Sequence, residues 1–329
     1  MESVNKRCKT DRYGEMDLMK TTNNVWRIAL GLVAVFALNA SIVGCSNGNL
    51  RRSEEFCRSG MERLNEGDFK SAADCFNKSI ELNPRLAAAY VGLGECGLRT
   101  RRFDEAQSNF EKALEIDADL VAARRGRGES YLGRRLFDKA VEDFNVALEV
   151  DPTQTTVLSN RGYAYVCLGK FDEAMADLNE CVAAAPTEPS YYVNRGILFQ
   201  KRQEFNSGIQ DLDKAISLEP TNPMNYAIRG KIYEEAGSWD EALADFNKAL
   251  EIDPNCFAAY KYRGVYFKQL GEWDDSLKDL TRALEINPDD PGTYFERAGV
   301  YRQQNKDAEY QADLDKVNEL DPGFMGGSR

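Results

Sequence analysis

Histidine is absent from all 329 residues. That removes every Ser–His or Cys–His nucleophile scheme and every zinc or haem site that needs an imidazole. The eight cysteines include no C-x-x-C pair, which leaves no zinc or redox motif of that kind. No glycine-rich phosphate loop follows a strand, because no strand pattern is apparent. Prolines number only ten, and apolar residues make up 43% of the chain against 29% charged, so wholesale disorder is excluded. Basic charge is also scarce. The net charge is −12: residues 1–45 hold six Lys/Arg and four Asp/Glu, and the remainder holds 36 against 50. A polymer this acidic is a poor general nucleic-acid binder, so no nucleic-acid partner is expected, and any anion binding must come from a local patch.

Long apolar runs are missing too. Residues 28–43 form the one extended apolar stretch, interrupted by Asn39 and Ser41, and it is shorter than the ~20 residues that span a bilayer. Lys20 and Arg27 precede it, and Ile42, Val43, Gly44 and Cys45 close it. That order reads as an export signal. The four closing residues resemble the lipobox of bacterial lipoproteins. The resemblance implies a signal over 19–44, lipidation at Cys45, a tether over 45–52, and an upstream segment 1–18 that precedes the true start. It further implies a cell-envelope location with Ser46 favouring outer-membrane sorting, whereas an uncleaved signal anchor is the alternative. Cys57, Cys75, Cys96, Cys167, Cys181 and Cys256 read as small apolar side chains, with a Cys57–Cys75 disulfide left open.

What the rest of the chain does contain is a 34-residue period. All ten prolines occupy two positions of one frame: Pro84, Pro152, Pro186, Pro220, Pro254, Pro288 and Pro322, with Pro189, Pro223 and Pro291 three residues further on. Eight units follow without insertion over 53–86, 87–120, 121–154, 155–188, 189–222, 223–256, 257–290 and 291–324, leaving a tail of 325–329. Slot eight is glycine in seven units, from Gly60 to Gly264, then Ala298. Slot seventeen is Phe69, Phe103, Phe137, Phe171, Phe205, Trp239 and Trp273, then Asp307; slot twenty is small in seven units; slot twenty-four is Phe or Leu throughout. Apolar slots at three- and four-residue steps predict two amphipathic helices per unit. Small residues at slots eight and twenty let those helices approach, and stacking buries what one hairpin cannot. The last unit, with Asp307 and a polar second helix, reads as a cap.

These slots resemble the tetratricopeptide repeat over 53–324. The resemblance implies an all-α superhelix, a solenoid of eight helix-turn-helix units whose first helices line a groove for peptides or protein segments. Groove slots two, five, six, nine, twelve and thirteen include Thr156, Asn160 and Tyr163 in unit four and Val193, Asn194 and Ile197 in unit five. Asn160 and Asn194 are either a ladder along a bound backbone, as in some family members, or solvated surface amides. The Lys/Asn/Asn/Lys/Arg set of chaperone-tail binders has no register here.

Two charge patterns remain. Units three to eight carry Arg at slot seven, from Arg127 to Arg297, and Asp at slot twenty-three, from Asp143 to Asp313; units one and two have neither. Their joint appearance selects a semi-buried ion pair that locks helix to helix over an arginine ladder for ligands. Arg99, Arg101, Arg102, Arg124, Arg125, Arg134 and Arg135 crowd units two and three near the tether. They read either as solvated turns or as a surface for anionic headgroups or an acidic segment. Adjacent carboxylates such as Glu234/Glu235 and Asp274/Asp275 point in different directions and are poor catalytic pairs. Repeats take 272 of the 285 residues from Cys45 onward, so no catalytic residues, metal or cofactor are expected. The expected function is a non-enzymatic, lipid-anchored scaffold for protein or peptide partners. A soluble intracellular adaptor, or a regulatory subunit of an envelope enzyme, is the alternative.

Overall fold

A computed structural model describes residues 48–324. The lipobox, Cys45 and the apolar stretch lie outside them. Among the described residues there are sixteen helices and no strand. They run in hairpins: α1 (Gly48–Asn65) with α2 (Phe69–Leu82), α3 (Ala87–Arg99) with α4 (Phe103–Ile116), α5 (Val121–Gly133) with α6 (Phe137–Val150), then α7 (Thr155–Leu168). After it come α8 (Phe171–Ala184), α9 (Pro189–Lys201) with α10 (Phe205–Leu218), and α11 (Pro223–Glu235) with α12 (Trp239–Ile252). The chain continues through α13 (Phe257–Leu270) with α14 (Trp273–Ile286) and α15 (Pro291–Gln303) with α16 (Asp307–Leu320). Two compact units divide the described chain, 48–168 and 169–324. Each is a stack of helix hairpins. No helix among the described residues is long and apolar enough to cross a membrane.

The core repeats with the sequence. Slot twenty-four supplies Phe76, Phe110 and Phe144 in one unit and Leu178, Leu212, Phe246 and Leu280 in the other, all fully buried. Each such side chain is worth about 1.5–3 kcal/mol of burial. The slot-eight glycine admits it: a Cβ on Gly60 would lie 2.7 Å from the Phe76 ring, and one on Gly264 2.8 Å from Leu280. Slot-twenty alanines such as Ala106 and Ala242 are fully buried against the same crossing. Helix starts follow local chemistry. Pro189, Pro223 and Pro291 occupy the first turns of α9, α11 and α15, where a missing N–H costs nothing. Asp68, Asn222 and Asp290 accept from backbone N–H groups at the starts of α2, α11 and α15.

Every repeat has one left-handed residue at slot fifteen. Four are glycines, Gly67, Gly169, Gly237 and Gly271, with φ of 74–81°. The other four are Arg101, Arg135, Gln203 and Asn305, with φ of 55–62°. A left-handed arginine is strained by roughly 1 kcal/mol relative to glycine. The turn geometry is therefore imposed by hairpin packing even where the residue resists it.

Residues 48–52, within the expected tether, are helical and begin α1. Eighteen helical residues span about 27 Å, so the chain enters at the edge opposite the first helix-helix turn. The arginine turns are consequently not beside the point where the chain enters.

Candidate binding surfaces

The repeated arginines are built into the scaffold. Arg127 donates two hydrogen bonds of 2.7 Å to Asp143, and Arg195, Arg229, Arg263 and Arg297 bind Asp211, Asp245, Asp279 and Asp313 in the same bidentate way. The carboxylates are buried and the guanidinium groups are nearly so. A second arm reaches slot twenty-five of the preceding repeat: Arg161 to Asn145, Arg195 to Asn179, Arg229 to Asp213, Arg263 to Asn247 and Arg297 to Thr281. Aromatic rings complete the clasp. Arg195 sits between Tyr192 and Phe199 at 5.8 and 5.9 Å, and Arg229, Arg263 and Arg297 are flanked the same way. Hydrogen bonding to Asp211 raises the Arg195 pKa further above its usual value, against the opposing effect of burial. Arg161 and Asp177 belong to different units.

The first-helix residues are distributed less simply than the slots imply. Thr156, Asn160 and Tyr163 are half-buried on α7. Val193 and Ile197, expected to line a groove, are 1% and 2% exposed. They are packing residues, because α9 is flanked by α8, α10 and α11 and these slots face its neighbours. Asn194 is likewise buried, which removes the reading of it as a solvated amide.

The same slots in other repeats hold charge networks that were not read from the sequence. In 48–168, Arg125 (slot five) lies 3.2 Å from Glu95 and 3.7 Å from Glu129, both at slot nine. Burial pushes the Glu129 carboxyl up to about 7, and Glu95 adds to the rise, while Arg125 and Arg99 oppose it. In 169–324, Lys231 donates to both oxygens of Glu234 at 3.1 Å and reaches Glu235 at 3.7 Å, and Gln269 donates to Glu234 from the next repeat at 2.5 Å. Burial holds the Glu234 carboxyl above its usual range. Lys268 pairs with Glu296, and buried Lys261 lies 3.3 Å from the helix-capping Asp290. Carrying slots five, nine, twelve and thirteen through repeats two, three, six and seven would have found these groups.

The arginine cluster splits. Arg125 belongs to the Glu95–Glu129 network and leaves the anion-binding set. Arg124 turns to Asp143 at 3.5 Å and to the Ala118 carbonyl. Arg99, Arg101, Arg102, Arg134 and Arg135 remain at the turns of repeats two and three. Arg134 lies 2.8 Å from Asp104 of the adjacent repeat, and Arg102 3.0 Å from Glu105.

The buried cysteines beside these surfaces are held as thiols. Burial pushes the Cys57, Cys96 and Cys181 thiols up to about 12, 11 and 12, away from the thiolate form. Cys57 and Cys75 are free thiols, and Cys75 donates weakly to Ser59 at 3.9 Å. Among the described residues no cluster of potential ligands could hold a metal ion. The geometry offers charged and amide surface on rigid helices.

Two family models, both described as tetratricopeptide repeat, match residues 57–189 and 226–290. With the hairpin stack they define the class: the chain belongs to the tetratricopeptide-repeat family. Among solved structures it is similar to a tetratricopeptide repeat protein from Parabacteroides merdae, at 19% identity and a TM-score of 0.64, covering 80% of this chain and 99% of that one. Yeast Tom70 matches at 17% identity and a TM-score of 0.61, covering 86% of this chain and 62% of that one. Pseudomonas aeruginosa pilF matches at 16% identity and a TM-score of 0.53, covering 66% and 99%. At these identities the likeness is one of fold. No curated protein matches this sequence.

Proposed function

We propose that this chain is a non-enzymatic scaffold that binds segments of partner proteins on its first-helix faces and is held at a cell envelope through a lipid on Cys45. The observation that carries the binding part is the arrangement of slots five, nine, twelve and thirteen. Slot seven spends its charge inside the scaffold, whereas these slots assemble charges from successive repeats on one helix face. Amide and charged groups in that setting give an extended chain both donors and acceptors. Support for the envelope part is the order of basic residues, apolar stretch and Ile42-Val43-Gly44-Cys45.

Each part has its own test. Photo-crosslinkers at positions 160, 163 and 231 in intact cells should capture the same small set of proteins, and a probe at position 101, on the turn edge, should not. Identical captures from all four positions would remove the first-helix assignment. Incorporation of labelled fatty acid should vanish in Cys45→Ala. Labelling that persists would remove Cys45 as the lipid site, and a parent chain that takes up no label would leave the soluble adaptor as the better reading.

A further inference from the structure

The turn edges of repeats two and three differ in sign from those of repeats six and seven. Slots thirteen to nineteen of repeats two and three hold six Lys/Arg and three Asp/Glu. These turns are neighbours, since Arg134 reaches Asp104 and Gln107 of the adjacent repeat and a Cβ on Gly133 would touch the Phe103 ring. Arg101 and Arg135 hold the left-handed position that four other repeats give to glycine.

The same slots of repeats six and seven hold no Lys or Arg and six acids: Glu235, Asp240, Glu241, Glu272, Asp274 and Asp275, all exposed. Two large apolar side chains sit among them, Trp239 at 37% and Leu270 at 46% exposure. The Trp239 ring lies 5.8 Å from Tyr266, one turn before Leu270, so these residues form one patch with an acidic rim.

We propose that this acidic, tryptophan-centred edge of repeats six and seven docks on the arginine turns of repeats two and three in a second copy of the chain. Charge complementarity selects the occupant. The arginines can pair with the acidic rim and stack on the Trp239 face, and a buried tryptophan ringed by charge is the usual form of a binding hot spot. An anionic bilayer is the poorer fit, because the chain enters α1 at the opposite edge. The two patches differ, so the contact is head-to-tail.

Sedimentation velocity on the full chain in detergent tests this. Association should appear at about 0.05 M salt and be lost at about 0.5 M, as contacts between exposed charges are screened. Arg101→Gly with Arg135→Gly removes two arginines while relieving strain, so it keeps the fold and should weaken association by about tenfold or more. Leu270→Ser with Glu272→Gln and Asp275→Asn should do the same. Mixing the two variants should restore one junction and give a 1:1 dimer. A chain that stays monomeric at low salt, association that either variant retains, or a mixture that stays monomeric overturns the proposal.

Discussion

The two units share one hairpin and close it differently. In 169–324, Arg195, Arg229, Arg263 and Arg297 each tie the second helix of their own repeat to that of the preceding one. In 48–168 only repeat three has the full bidentate clasp, Arg127 with Asp143. Repeat one substitutes the weak Cys75–Ser59 contact, and repeat two places Leu93 and Asn109 in the paired slots. The packing of slots eight, twenty and twenty-four is the same in both units, so packing suffices to form the hairpin. What the clasp adds is register between consecutive second helices. It also commits the scaffold: a carboxylate buried beside arginine is costly once that arginine is lost, and the reverse holds. Charge follows the division, with 18 basic and 20 acidic residues in 48–168 against 17 and 30 in 169–324.

Breaking a clasp should give the largest effect. Asp211→Ala leaves the Arg195 guanidinium, 19% exposed, with only Asn179 and two rings, and should cost about 3 kcal/mol in urea unfolding. Its effect on partner affinity should be smaller. Asn109→Ala, at the matching slot of repeat two, should cost under about 1 kcal/mol, because its side chain only caps the Glu105 carbonyl at the surface. Equal losses at the two sites would mean that the clasp is not what separates the units.

The next effect belongs to 48–168 and depends on pH. Glu129, beside Arg125, Glu95 and Arg99, titrates near 7 in the folded chain against an ordinary 4.5. The folded state therefore holds a proton that the unfolded chain releases between those values, and this group's contribution to stability falls as pH rises through that window. Glu129→Gln removes the titration. Its stability relative to the parent should rise by on the order of 2 kcal/mol between pH 5 and pH 8. A difference that does not change with pH would place Glu129 in solvent, leaving Glu95 as the buried acid beside Arg125.

Legibility in the sequence divides along a physical line. Slots eight, seventeen, twenty and twenty-four are legible because packing restricts each to one size class, so Gly60 to Gly264 and Phe76 to Leu314 announce themselves by period alone. The Arg–Asp pairing was legible because both partners recur together. Its second arm was not, since slot twenty-five accepts Asn145, Asp213 or Thr281 and any oxygen serves. Val193 and Ile197 are buried for a related reason. A groove slot names a direction on the helix, and an apolar side chain there turns to the neighbouring helix and away from solvent.

Slot fifteen was hidden most completely, because what recurs there is a backbone conformation carried by four residue types. Arg101→Gly should therefore stabilise the chain by about 0.5–1 kcal/mol, and Gly237→Ala should destabilise it by about 1 kcal/mol, both read from thermal unfolding. A Cβ on Gly237 meets nothing within 4 Å, so the alanine effect isolates the backbone term from packing. The arginine effect contains the same term with opposite sign, together with whatever its side chain holds at the turn. If Arg101→Gly is neutral while Gly237→Ala costs the full amount, the difference measures a favourable interaction of that arginine within its own chain. Arg101 would then join Arg134 and Arg102, which already pair with Asp104 and Glu105, and the contrast in charge between the two edges would overstate the attraction available between copies.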